Sequence, residues 1–117
     1  MNSVRITYDP EGDILYITFG QARAATGYQL SDQILLRIDP QTQKAAGLTL
    51  FNYSVHVQTG REVSLSGLEK AHDKAAFLLS TLTSPPVSHF LSITQKEAVT
   101  QATLRHPSLQ EAVAGSV

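Results

Sequence analysis

Arg5-Ile-Thr-Tyr-Asp-Pro-Glu-Gly-Asp-Ile-Leu-Tyr-Ile-Thr-Phe19 decides the fold. Two runs rich in β-branched and aromatic residues flank a segment whose turn chemistry can be assigned position by position. Asp9 suits the first position of a type I turn, Pro10 presets φ at the second, Glu11 is tolerated at the third and Gly12 suits the fourth. The stretch therefore predicts a β-hairpin. Val4, Ile6 and Tyr8 alternate with Arg5 and Thr7. In the second run Leu15, Ile17 and Phe19 share one face, opposite Ile14, Tyr16 and Thr18.

Working outward, Gly20 to Gly27 reads as a polar, alanine-rich connection. Tyr28 to Leu30, a Ser31-Asp32 turn and Ile34 to Ile38 then give a second strand pair. Asp39-Pro40 repeats the turn chemistry of Asp9-Pro10, and Gly47 to Tyr53 returns as a strand. Strand, Asp-Pro, polar turn, strand occurs twice, as in a degenerate duplicated hairpin. Two independent hairpins would read the same way, because Asp-Pro is an ordinary turn opening. In both cases the sheet is antiparallel.

The period changes near residue 66. Three capping boxes follow, each a Ser or Thr with Glu three residues on: Ser66 with Glu69, Thr94 with Glu97, and Ser108 with Glu111. In the first predicted helix, over 66–83, Leu68, Ala71, Ala75, Leu78, Leu79 and Leu82 form an apolar stripe able to cover one face of a sheet. Ser84-Pro85-Pro86 stops it. Val87 to Ile93 reads as extended. A second helix is expected near 95–105, thinly apolar with Ala98, Val99, Ala102 and Leu104 and ended by His106-Pro107, with a last short turn around 109–114. The expected architecture is α+β: an antiparallel sheet of about four to five strands over 4–55, built from two hairpins and covered by C-terminal helices. The whole of 1–117 reads as one domain, with the sheet, the 66–83 helix and the 87–117 extended segment and helices as its layers.

Composition narrows the chemistry. A chain of 117 residues can bury a core without metal or disulfide staples. Without cysteine, disulfides, thiolate metal sites and thiol nucleophiles are excluded. No stretch approaches the roughly 20 apolar residues that span a bilayer, and the N-terminus enters a strand pattern directly. We expect a cytoplasmic protein with no membrane partner. Nine basic against ten acidic side chains, without a block of either sign, give no electrostatic footprint for nucleic acid.

Individual motifs point more to structure than to catalysis. Asp9, Glu11 and Asp13 have the alternate spacing that opens a calcium loop. However, the sixth and twelfth positions are Ile14 and Gly20 rather than glycine and a carboxylate, so these residues read as turn formers. His56, His72, His89 and His106 recur at nearly even intervals but include no pair at helical ligand spacing, so solvent-facing imidazoles are expected. The best nucleus for a distant-ligand site is His72-Asp73 with Glu69, while His106 suits a helix C-terminus. No Gly-x-Ser-x-Gly elbow or phosphate-binding glycine loop is present. Tyr8, Tyr16, Tyr28 and Tyr53 fit strand packing as well as a binding platform. No catalytic residue, metal ligand or cofactor is assigned.

Tyr8-Asp9-Pro10-Glu11-Gly12-Asp13-Ile14-Leu15-Tyr16-Ile17 resembles the signature of a small prokaryotic family, domain of unknown function 2283, whose usual form is Tyr-Asp-Pro-Glu-x-Asp-x-Leu-Tyr-Ile. The resemblance continues through Ile34 to Asp39 and Gly47 to Leu50. The chain departs from the pattern at Gly12, where Ala is common, at Thr49, where Glu is common, and in an extension of about 60 residues beyond the minimal domain. The resemblance implies a compact antiparallel sheet and brings no activity or cofactor with it.

Function is read as a non-enzymatic interaction module that forms a homodimer, through the sheet edge or the C-terminal helices, with an unidentified protein as a further partner. One alternative is an enzyme or small-molecule binder with a pocket between sheet and helices, using His72 and Asp73 with His56 or His89. Another is an antitoxin-like partner of a toxin. DNA contact by such a protein would need Arg61, Lys70, Lys74, Lys96 and Arg105 on one face.

Overall fold

The computed structural model describes residues 4–21, 23–55, 62–96 and 99–104. Five strands form the first sheet: β1 (Val4–Asp9), β2 (Ile14–Phe19), β3 (Thr26–Gln29), β4 (Ile34–Ile38) and β5 (Ala45–Phe51). Every neighbouring pair is antiparallel, in the order β1-β2-β5-β4-β3. The expected α+β class and sheet are present, and the returning strand lies in the middle.

The two Asp-Pro turns sit at opposite ends of this sheet, because the strands that follow them, β2 and β5, run antiparallel side by side. Each turn is an Asx turn. Asp9 Oδ1 accepts the Glu11 N–H at 3.1 Å, and Asp39 Oδ1 accepts the Gln41 N–H at 2.8 Å. Each also closes with a residue in the left-handed region four positions on, Asp13 at φ 55° and Gln43 at φ 60°. Aspartate tolerates that region through its short polar side chain. The hairpins are thus related by an approximate two-fold near the Ile17–Leu48 pair, interrupted where the β4–β5 register shifts beside Ile38.

Period-two alternation gives the sheet two different faces. Tyr8, Leu15, Leu50 and Ile34 form one row across the inner face. Ile6, Ile17, Leu48, Leu36 and Tyr28 form the next. Leu15, Ile17, Leu36, Leu48 and Leu50 are all fully or nearly fully buried. The segment after residue 62 covers them. It comprises β6 (Val63–Ser64), α1 (Ser66–Lys70), a 3-10 turn at His72–Lys74, α2 (Ala75–Leu82), a second 3-10 turn at Val87–His89, β7 (Leu91–Lys96) and β8 (Val99–Leu104). Leu65, Leu68, Leu78, Leu82, Val87 and Leu91 enter the core from this layer, and Phe90 stacks on Phe19 with centroids 6.1 Å apart.

Four expectations require correction. Val87 to Ile93 is extended only from Leu91, because Val87–His89 forms a 3-10 turn after the two prolines. The predicted 66–83 helix is broken at His72, whose φ of 52° interrupts the ladder with no glycine or proline to announce it. Ser66 makes no side-chain cap bond; it is already the first helical residue, after Leu65. The helix expected near 95–105 is instead the β7–β8 hairpin, which with β6 forms a second, three-stranded sheet. The apolar positions there are too sparse for a helical stripe, whereas strand pairing sets Leu91 opposite Leu104 and Ile93 opposite Ala102. Ala102, also opposite Val63, is 1% exposed. The turn expected around 109–114, and its Ser108–Glu111 box, lie outside the described residues.

Candidate functional site

Three places gather side chains whose geometry goes beyond core packing. The first is the sheet end at the Asp9–Asp13 turn. Because β2 pairs with β5, Asp13 arrives beside the residues that leave β5. Its carboxylate accepts the Tyr8 hydroxyl at 2.7 Å, the Ser54 N–H at 2.9 Å and the Ser54 hydroxyl at 2.7 Å. Its carbonyl accepts the Tyr53 N–H at 3.0 Å. Tyr8 and Tyr53 meet edge to face with centroids 5.7 Å apart. The hydrogen bond to Asp13, followed by burial, raises the Tyr8 phenol above its ordinary pKa, and burial raises that of Tyr53. The phenols are thus held neutral, and the carboxylate is committed to tying strand ends together.

The second place is a groove of about 710 Å³ at the opposite sheet end, between the β4–β5 turn and the C-terminal end of α2. Arg23 and Asp39, Lys44, Phe77, Ser84 and the cis Pro85–Pro86 peptide help to line it. Arg23 donates from Nε to Asp39 Oδ2 at 2.8 Å and from Nη1 to the carbonyls of Phe19 and Gln21 at 2.8 and 2.9 Å. The backbone N–H of Gln41, with the Arg23 guanidinium beside it, holds Asp39 below its ordinary carboxylate pKa. Arg23 therefore staples the chain leaving β2 to the second turn, mirroring the Asp13–Ser54 contact across the approximate two-fold. Its position in a featureless polar connection gave no warning in the sequence.

The third place is the outer sheet face. The register aligns Arg5 with Thr18, Gly47 and Arg37, and Thr7 with Tyr16, Thr49 and Leu35. Ile14 and Phe51 close one end. Gly47 is required here, since a Cβ would stand 2.9 Å from the Ile17 carbonyl oxygen. Ile14, Leu35 and Phe51 are half-buried, and Tyr16 is 41% exposed. Thr49 sits among them without a charge. Among the described residues, none of the helices or strands after residue 62 joins the core from this side; their buried residues meet the inner face.

His72 and His89 are exposed, and Asp73 is exposed beside His72. Neither His72 nor Asp73 lines the groove between sheet and helix. His56 and His106 lie outside the described residues, as do Arg61 and Arg105. Lys70 and Lys74 are exposed, and Lys74 is engaged locally, donating to the Tyr28 hydroxyl at 3.0 Å with its ammonium 5.4 Å from the ring centroid. That hydrogen bond raises the Lys74 pKa. Among the described residues no group of three histidine or acidic side chains could hold a metal ion, and no described helix is long and apolar enough to cross a membrane.

Residues 5–54 match the model of a family described as protein of unknown function (DUF2283). No match was found among curated proteins or among solved structures.

Proposed function

We propose, from the match of residues 5–54 to the DUF2283 family model and the geometry of the sheet, that the chain is a non-enzymatic protein-interaction module that assembles as a homodimer. The observation that carries this reading is the two-sidedness of the five-stranded sheet. One face is covered by the chain's own C-terminal layer. The other presents Tyr16, Leu35, Ile14 and Phe51 around Thr49, which is neutral and itself buried, and among the described residues no further strand pairs with β1 or β3. Half-buried aromatic and aliphatic side chains on a sheet face that the described residues leave uncovered are characteristic of association surfaces rather than reaction centres. The committed state of Asp13, Arg23 and Asp39 supports the same reading, since each of these groups already serves a structural contact.

Light scattering of the full chain at tens of micromolar tests the proposal. A mass of twice 12.7 kDa is expected. A monomer throughout that range overturns it.

A further inference from the structure

Resting on the homodimer reading, we propose that the partner of β1 is the β1 strand of a second copy, paired antiparallel with Thr7 opposite Thr7. Among the described residues β1 is an edge strand six residues long, with an unbroken register to β2 and no proline or bulge to blunt its outer side. Such an edge presents unpaired N–H and C=O groups that a further strand can satisfy. The competing edge, β3, has four residues including Gly27, and the Lys74–Tyr28 contact lies against it.

The choice of a second copy comes from the charge pattern. Arg5, Thr7 and Asp9 lie on the same outer face, with opposite charges spaced symmetrically about Thr7. An antiparallel copy centred on Thr7 places Arg5 opposite Asp9 twice, once on each side of the two-fold. It also places Tyr8 opposite Ile6 of the second copy on the inner face, an aromatic and β-branched pair of the kind that stabilises cross-strand neighbours. Arg5 is exposed and makes no ion pair among the described residues, and Asp9 uses Oδ1 for its own turn while Oδ2 accepts no described hydrogen bond. Shifting the register by two residues keeps the faces aligned but loses both charge pairs. The product is one continuous ten-stranded sheet whose two outer faces become a single surface.

Because the chain has no cysteine, Thr7→Cys supplies a unique thiol. Mild oxidation is expected to convert it to a covalent dimer, since directly opposed residues lie within disulfide reach. Spin labels at Thr26→Cys, on the far edge, should stand nine strand spacings apart, about 40 Å. Arg5→Glu, which sets like charges opposite each other twice, should weaken dimerisation roughly tenfold at low salt, and added salt should narrow that gap. Arg5→Gln should fall between Arg5→Glu and the unsubstituted chain. A dimer that neither cross-links at residue 7 nor keeps the Thr26 labels far apart overturns this interface while leaving the homodimer standing. A monomer overturns both.

Discussion

Gly67→Ala tests whether the C-terminal layer is seated on the sheet as described. Gly67 lies in α1 with its backbone pressed against the corner between β3 and β4. Its N–H donates to the Leu30 carbonyl at 2.8 Å. A Cβ built on it would fall 2.0 Å from the Gln29 carbonyl oxygen and 2.7 Å from the Leu30 Cα. Both neighbours are backbone, so no side chain can swing away. Relief requires α1 to move by about 1 Å, overpacking that costs roughly 1–3 kcal/mol, and the motion weakens a hydrogen bond with a net value of about 1 kcal/mol. Against this, alanine is better than glycine inside a helix by about 1 kcal/mol.

The balance is a loss of about 2 kcal/mol. For a chain of this size that is roughly 8 °C in Tm, or about 1–2 M in urea midpoint. Gly12→Ala serves as the comparison. There the nearest atoms are the Asp9 carboxylate at 3.0 Å and the Ile14 side chain at 3.1 Å, both able to rotate, and the change should stay within about 0.5 kcal/mol. Urea unfolding of the two variants beside the parent chain, followed by circular dichroism, decides the matter. If Gly67→Ala is as stable as the parent, the helix is not in backbone contact with Leu30 and the seating of the layer is wrong.

Asp13→Ala removes the acceptor shared by Tyr8 and Ser54 and should cost about 2 kcal/mol in chemical unfolding; Asp13→Asn, which keeps an acceptor oxygen and tolerates the left-handed backbone, should lose less than half of that. Asp39 has a folded pKa below its ordinary value, so its contribution is present above pH 3.8 and disappears as the pH falls through the folded value. Asp39→Asn should therefore be less stable than the parent at neutral pH and converge with it in acid, and parallel pH curves would contradict the assignment. Tyr8 is shifted upward, so its contribution holds below pH 10 and is lost as the pH rises through the folded value; Tyr8→Phe should flatten that alkaline limb. A chain ending at residue 54 exposes the inner face, each large side chain of which gains about 1.5–3 kcal/mol from burial, and should aggregate or bind a hydrophobic dye; a monomeric, cooperatively unfolding fragment would show that the layer is dispensable.

How much of this was legible depended on whether local chemistry and long-range pairing agreed. The first hairpin could be read because Asp9-Pro10 and the alternation of Leu15, Ile17 and Phe19 point the same way, and the strand pair around Ser31 was readable for a similar reason. Ser31 Oγ accepts the N–H groups of Gln33 and Ile34 at 3.1 Å, the turn role its position suggested. The β7–β8 hairpin was misread because only two residues, Glu97 and Ala98, separate its strands. Neither has the Asn-Gly or Asp-Gly character that marks a tight turn, while Thr94 and Glu97 imitate a capping box. Leu91 and Ile93 carried the true period. Arg23 was invisible because its charged partner, Asp39, comes beside it only when β2 and β5 pair.

The Tyr8–Asp13 segment, which carries the resemblance to the family signature, acquires a physical meaning from these contacts. Tyr8, Asp9 and Asp13 are spaced so that the tyrosine reaches the second aspartate, the first aspartate closes the turn, and the second aspartate holds the chain leaving β5 through Ser54. Such a signature specifies how two hairpins lock together; it places no reactive group in a cleft. A locked sheet of this kind has one apolar face that must be covered, and this chain does so with residues from Val63 onward. The inner face is therefore unavailable to a second copy, and the proposed self-association must use another surface. Under that proposal β1 combines a six-residue edge with a self-complementary charge pair, and the edge is where the partner should be sought first.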